Sequence, residues 1–299
     1  MKDDIIDIDT AMVQELIDTQ FPQYSNLPLL PIDPQGWDNR TYRLGEQLSV
    51  RLPSARRYAA QVEKEQTWLP RLAPGLPFAI PAPIAKGRPS ENYFYTWSIM
   101  EWIPGTMASV DQPLDFQAIA NDAASFLKAL HRLDASNGPL AGPHNFFRGG
   151  SLQTYDEETR TALADLNQKV DTGAVIEVWN AALSSQWDHE SVWVHGDFAP
   201  SNLIVAESRL KAVIDFGGLG VGDPACDLVL TWTFLPENCR QSFRNSLALD
   251  KATWARARGW AVWKALLILT ERSEQKFSEH PAVTVLESVL QDHRQEPAQ

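Results

Sequence analysis

The stretch VWVHGDFAPSNLIV, residues 192–205, interrupts two apolar runs with a loop that carries a histidine, an aspartate and an asparagine. Runs this rich in valine and isoleucine read as buried strands. A loop held between rigid strands can fix polar side chains in space, and binding and catalytic residues concentrate on such loops. The second run, NLIV, is followed by a short polar turn at Glu207–Arg209 and a third apolar run, LKAVIDF (210–216), so this region reads as a hairpin. A hairpin brings its outer ends together. Asn202 at its start and Asp215 at its finish are therefore expected to be neighbours, with Asp197 projecting at the same end.

Two carboxylates and an amide oxygen at one mouth need a reason. Carboxylates a few Å apart repel unless a proton or a cation lies between them. Oxygen donors from Asp and Asn suit Mg²⁺, a hard ion usually held by one or two carboxylates together with substrate phosphates. A carboxylate outside the metal shell can accept a hydroxyl proton or orient the hydroxyl. Phosphoryl transfer divides the labour in this way, with Asp197 as catalytic base and Asn202 and Asp215 as metal ligands. Each residue alone means little, since a loop aspartate is usually a turn former. The joint pattern H-x-D-x-x-x-x-N, with a literal D-F-G thirteen residues further on after an apolar strand, is far more specific.

VHGDFAPSNLIV together with AVIDFGGLGVGDPACDL resembles the aminoglycoside phosphotransferase family, whose fold is similar to that of protein kinases. The resemblance runs from GWDNRTYRL to ARGWAVWKAL, nearly the whole chain. It implies an α+β, bilobal protein-kinase-like fold. A small β-rich N-terminal lobe over residues 1–103 would bind the nucleotide and end in the hinge strand. A larger helical lobe over 104–299 would hold the catalytic loop, metal site and acceptor pocket. It also implies a Mg²⁺-dependent kinase that moves the terminal phosphate of ATP or GTP to a hydroxyl of a small molecule. By the same likeness His195 would brace the catalytic loop rather than do chemistry, and Asp197 would be the base. Asn202 and Asp215 would bind Mg²⁺, and Asp227, in GDPACDL, would support the loop. Asp223, before Pro224, reads as a helix cap.

Kinase-like enzymes grip the phosphates with a cation on a strand, paired with a glutamate on the next helix. Here the strand LSVRLP offers Arg51 rather than a lysine, a planar fork in place of a point charge. Glu65 on the following helix is the expected partner, ahead of Glu63. QGWDNRTYRL (35–44), containing Gly36 and Asn39, would lie over the phosphates, although one glycine is a weak signal for such a loop. An aromatic strand over 93–103, running into Pro104-Gly105, would form the interlobe hinge, with backbone groups near Met100–Trp102 reading the purine.

Along the chain, Asp9-Thr10 reads as the cap of a helix over 8–20, and residues 39–53 read as two strands around a Gly-Glu-Gln turn. Residues 55–72 read as a polar helix with Val62, Leu69 and Leu72 on one side. Residues 74–90 are broken by prolines and read as irregular or short strand. Beyond Gly105 helices dominate, over 115–133, two within 155–187, 224–235 and 250–273. The last dozen residues are polar and expected to be frayed. GGLGVG (217–222) fails the G-x-G-x-x-G pattern and has no βαβ unit around it, so it is expected as a flexible segment after D-F-G.

A net charge of −12 argues against a nucleic-acid binder. No apolar run approaches the roughly 20 residues of a membrane helix. Two cysteines without metal-ligand spacing and an acidic N-terminus fit a cytoplasmic protein. The acceptor is less legible, since aminoglycosides, macrolides, choline-like amines, homoserine and sugars are all handled by relatives of this fold. The acidic balance would suit a cationic acceptor, and the Trp-rich helix of Trp254, Trp260 and Trp263 a bulky apolar one, although those tryptophans read first as core. The competing function is a non-catalytic nucleotide-binding protein on the same fold, suggested by Arg51 in place of lysine. A protein kinase is disfavoured because little sequence separates D-F-G from GVGDPACDL.

Overall fold

A computed structural model of the protein describes residues 5–33, 35–166 and 169–295. The chain divides into two compact units, Met1–Pro74, Ala79–Pro104 and Val213–Gly217 in one, and Gly75–Phe78, Gly105–Ala212 and Gly218–Gln299 in the other.

In the first unit, α1 (Thr10–Gln20) starts where the Asp9 side chain accepts a hydrogen bond from Met12 N at 2.8 Å, satisfying an amide the helix itself cannot. Its Val13, Leu16 and Ile17, at helical spacing, face inward. β1 (Leu29–Pro31), β2 (Asn39–Leu44) and β3 (Leu48–Pro53) follow. Gly45, at φ +61°, opens the three-residue turn that sets Leu44 opposite Leu48. α2 (Ala59–Leu72), β4 (Pro83–Gly87) and β5 (Trp97–Glu101) complete an antiparallel sheet of order β1-β2-β3-β5-β4. Its core is built from Ile17, Leu44, Val50, Trp97 and Ile99, among others.

The aromatic stretch 93–103 is strand only over Trp97–Glu101. β4 ends at Gly87, opposite Trp97, so residues before Trp97 lose their partner on that side of the sheet. Ser90 N instead donates to Tyr93 O at 2.7 Å and Tyr93 N to Ser90 Oγ at 3.2 Å, closing a turn. Tyr93 is fully buried all the same, so aromatic content there reports packing rather than strand.

The second unit opens with the two-residue strand β6 (Thr106–Met107) and α3 (Phe116–Arg132), capped by Asp115. Ile119, Ala123, Phe126, Leu127 and Leu130 form the buried face of α3. Then come α4 (Asp156–Asp165), α5 (Thr172–Leu183), β7 (Val192–Val194), β8 (Leu203–Ala206) and β9 (Arg209–Val213). Glu207 and Ser208, at φ +51° and +61°, make the tight turn that joins β8 to β9. β10 (Gly220–Gly222), α6 (Leu230–Thr233), α7 (Glu237–Leu247), α8 (Lys251–Leu269) and α9 (Ala282–Gln295) finish the unit. Strands β6, β8 and β9 form one small sheet, and β7 pairs antiparallel with β10. α3 packs on α7 and β7, and α8 on α5 and α9.

Three expectations need correction here. GGLGVG is not a flexible segment. Residues 216–218 form a single 3-10 turn, and β10 is a buried strand. The glycines serve close backbone packing, since a Cβ on Gly222 would lie 2.1 Å from Gly149 O. The helix expected over 224–235 is a 3-10 stretch at Pro224–Val229 followed by the short α6. The C-terminal segment is helical through Gln295, held by bidentate hydrogen bonds from Arg244 on α7 to Asp292 on α9 at 2.9 and 3.0 Å. Residues 296–299 of the expected frayed tail lie outside the described residues.

Candidate active site

β7 delivers the loop that begins at His195 and ends at Asn202, and Asp227 holds its start. The fully buried Asp227 carboxylate accepts from His195 N at 2.7 Å and Gly196 N at 2.8 Å. Burial pushes this carboxyl above its ordinary range, while His195 and the two amides oppose the shift. Gly196 sits at φ +84°, and a Cβ there would come within 2.2 Å of Gly218 O, so the turn excludes any other residue. His195, fully buried, accepts from Asp197 N through Nδ1 at 3.2 Å. Asn202 closes the loop, its Nδ2 donating to Asp197 O at 2.8 Å and Asp197 Oδ2 at 3.0 Å. Asp223 is the cap of the 3-10 stretch, accepting from Ala225 N at 3.1 Å, and pairs with buried Arg256 at 2.7 Å.

The Asp197 side chain stays 46% exposed, enough to be reached by another molecule. Burial of the loop works to raise its pKa, but the positive charges of Lys276, Lys264 and Arg148 outweigh that and hold it well below the usual carboxylate range. Lys276 Nζ lies 3.4 Å from Asp197 Oδ2 and 3.3 Å from Ser201 Oγ. Asp197 borders a recess whose walls include Arg148, Cys226, Thr233, Trp260, Trp263 and Lys264.

A second cluster lies in the first unit. Arg51, on β3, donates from Nη1 to Glu65 on α2 at 2.9 Å and from Nη2 to Asp215 at 2.8 Å. Burial alone would weaken the charge on Arg51, and the two carboxylates more than restore it. Burial raises the Glu65 pKa, with Arg51 opposing. Glu63 pairs instead with Lys86 at 2.7 Å, so of the two glutamates Glu65 is the one that meets Arg51. Asp215 adopts φ +63°, a conformation aspartate tolerates better than most residues. Lys64, next to Glu65, donates to Gly217 O at 2.6 Å and so ties α2 to the D-F-G segment; burial lowers its pKa to about 8.

Gln35 and Thr41 brace the loop containing Gly36 through reciprocal bonds of 2.8 and 3.0 Å, and Arg40 Nη1 donates to Gly36 O. Asn39 is buried at the start of β2. In the segment expected to read a purine, Met100 is buried, Glu101 N donates to Ala82 O and Trp102 N to Gln47 O, both at 2.8 Å. Two of the backbone donors expected there are thus engaged within the sheet and its turns. The Arg43 guanidinium covers the Trp102 ring at 4.4 Å.

Residues 30–260, more than half of the chain, match the phosphotransferase enzyme family. The chain belongs to that family. It is 29% identical over 155 residues to an aminoglycoside 3'-phosphotransferase of Escherichia coli, a stretch covering 50% of this chain and 55% of that protein, and equally similar to one of Salmonella typhimurium. The chain spans about half the length of these relatives. Among solved structures, the GDP complex of wild-type aminoglycoside 2'-phosphotransferase-IIIa superimposes with a TM-score of 0.69 at 17% identity, over 96% of this chain and 100% of that one. A streptomycin–ATP–APH(2")-IIa ternary complex gives 0.60 at 19% identity, over 96% and 97%. Macrolide 2'-phosphotransferase MphH from Brachybacterium faecium gives 0.59 at 21%, over 96% and 100%. At these identities the likeness carries the fold, which is the protein-kinase-like α+β fold expected from the sequence.

For this family member, sequence reasoning passed over Lys64, Arg148, Lys264 and Lys276. Lys264 carried a signal, since Trp260, Trp263 and Lys264 fall at i, i+3 and i+4 on one face of α8. Of the three tryptophans expected as core, Trp254 packs against Trp232 and Phe243, whereas Trp260 and Trp263 also line the recess. Arg148 and Lys276 stand in loops and show no spacing that marks them.

Proposed function

We propose that the protein is a Mg²⁺-dependent phosphotransferase that moves the terminal phosphate of ATP or GTP to a hydroxyl of a small molecule. The observation that carries this is Asp197, a half-exposed carboxylate locked by Asn202 and the Asp227-held turn, facing a recess and kept ionised by neighbouring cations. The acceptor hydroxyl oxygen attacks the terminal phosphorus, the bond to the nucleoside diphosphate breaks, and the hydroxyl proton passes to Asp197. A carboxylate of low pKa is a weak base, which suits a loose transition state in which the base chiefly orients the hydroxyl and takes its proton late.

The donor chemistry of Asn202 and Asp215 fits Mg²⁺. Asn202 spends its amide nitrogen on Asp197, which leaves Oδ1 as its donor to a cation, and Asp215 is engaged by Arg51 through Oδ1 only, among the described residues. Among the described residues no cage of three or more acidic, histidine or cysteine side chains is present, in keeping with an ion that takes most of its ligands from phosphates and water. Mg²⁺ held there would neutralise charge on the phosphates. Arg51, oriented by Glu65, would grip those phosphates, with the Gly36–Asn39 loop alongside and the backbone near Met100–Trp102 at the base. ATP in one relative's structure and GDP in another support a nucleotide donor of either base. Cys226 and Cys239, buried and unbridged, support a cytoplasmic setting, and no described helix is long and apolar enough to cross a membrane.

The test is a phosphoryl-transfer screen of hydroxyl compounds, with ATP and GTP separately, with and without Mg²⁺, and with Asp197→Asn as blank. The expected result is Mg²⁺-dependent transfer to at least one acceptor that the blank lacks. Metal-independent nucleotide binding with no transfer would favour the non-catalytic alternative, against which the ionised, accessible Asp197 already counts.

A further inference from the structure

Two cations, Arg148 and Lys264, line the recess beside Asp197, a third, Lys276, stands at Asp197 itself, and they differ in what they meet. Lys264 is paired with Glu279 at 2.6 Å, and Lys276 reaches Asp197 itself. Arg148 forms no ion pair and no side-chain hydrogen bond among the described residues, and its Nη1 is buried without an acceptor. Its guanidinium lies over Trp263 at 4.6 Å and Trp260 at 5.0 Å, with Tyr155 at 6.0 Å. Trp263 is itself fixed, its Nε1 donating to Glu158 at 2.8 Å. The rings stand at 88° to one another and enclose the guanidinium without offering its N–H groups a strong acceptor. A rigid fork of donors beside a hydroxyl-orienting carboxylate, with no carboxylate of its own, lacks only an anionic acceptor.

Resting on the phosphotransferase reading, we propose that the acceptor molecule carries an anionic group, a carboxylate or a phosphate, which Arg148 binds in the recess while Asp197 addresses the hydroxyl. The overall acidity of the chain does not extend to this spot. Arg148, Lys264 and Lys276 would meet an amine-rich acceptor as like charges, which disfavours it, whereas an anion gains a charge-assisted pair. Trp260 and Trp263 supply the apolar wall for the carbon skeleton.

Calorimetric titration of the full chain without nucleotide, using D-glucuronate, D-glucose 6-phosphate, D-glucose and D-glucosamine, isolates the charge on one pyranose skeleton. At least one anionic sugar is expected to bind about tenfold more tightly than glucose and glucosamine. Whichever anion wins identifies carboxylate or phosphate as the source. Arg148→Met should erase that preference, and Arg148→Lys, a point charge without the fork, should restore part of it. Glucosamine or glucose binding as tightly as the anions, a preference that survives Arg148→Met, or no Arg148-dependent anion binding at millimolar concentration would overturn the proposal. Mg²⁺-dependent nucleotide turnover measured in parallel keeps the two readings apart. Its absence in the unmodified protein counts against phosphotransfer, while anion binding stands or falls on Arg148.

Discussion

Asp227 is a side chain without solvent access whose task is to accept two backbone N–H groups, from His195 at 2.7 Å and Gly196 at 2.8 Å. Asp227→Ala leaves both donors buried and unmet, at about 1–3 kcal/mol each, or about 2–6 kcal/mol together. Relief from burying a carboxylate, the same penalty that raises its pKa, offsets part of this, so the expected loss is about 2–4 kcal/mol. Asp227→Asn retains one acceptor oxygen but turns an NH₂ toward the second amide, for about 1–3 kcal/mol. Urea unfolding followed by far-UV circular dichroism reads these losses as a lower midpoint at unchanged slope. Because the loop carries Asp197, turnover should fall further than stability alone explains, while nucleotide affinity holds. An Asp227→Ala protein within about 0.5 kcal/mol of the parent, with normal turnover, would show that these two bonds do not hold the loop.

Two further outcomes follow from buried charge. Arg51→Met strands Glu65, whose side chain is 4% exposed, without its cation, and should cost about 3–5 kcal/mol in the same urea assay. Arg51→Lys supplies one point charge where a fork spans Glu65 and Asp215, so it should rescue stability in part and weaken nucleotide binding measured by calorimetry. His131 has a buried Nε2 without a partner among the described residues, and burial lowers its pKa from 6.5 to about 4. Between those values the unfolded chain takes up a proton that the folded one refuses, so stability present above pH 6.5 is lost as pH falls to 4, by about 2–3 kcal/mol. His131→Leu should flatten that slope in urea midpoints taken across the window, and an unchanged slope would place the acid sensitivity elsewhere.

What the sequence discloses here depends on how local the physics is. The spacing of His195, Asp197 and Asn202 falls within one loop, so chain geometry fixes their mutual placement and the pattern is readable. Arg51 and Glu65 sit on an adjacent strand and helix, and their pairing is nearly as local. α7 and α9 escaped notice because each buries a narrow stripe, Cys239, Phe243 and Leu247 in one and Val285, Leu286, Val289 and Leu290 in the other, amid polar residues. Gly217–Gly222 reads as flexible in sequence yet folds as a packed segment, for a physical reason. Glycine taken alone signals freedom, but here the missing Cβ atoms let backbones approach Gly196 and Gly149. Arg148 acquires its meaning only from Trp260 and Trp263, far along the chain, whose rings the fold brings to it.

On the proposed mechanism Asp197 serves hydroxyl transfer and not nucleotide binding. The most direct test is single-turnover transfer from radiolabelled ATP or GTP to an accepted substrate by Asp197→Asn, with nucleotide affinity measured on the same protein. The expected result is a rate lower by about 10²–10⁴-fold with nucleotide affinity essentially unchanged. Undiminished Mg²⁺-dependent transfer by Asp197→Asn would contradict the account.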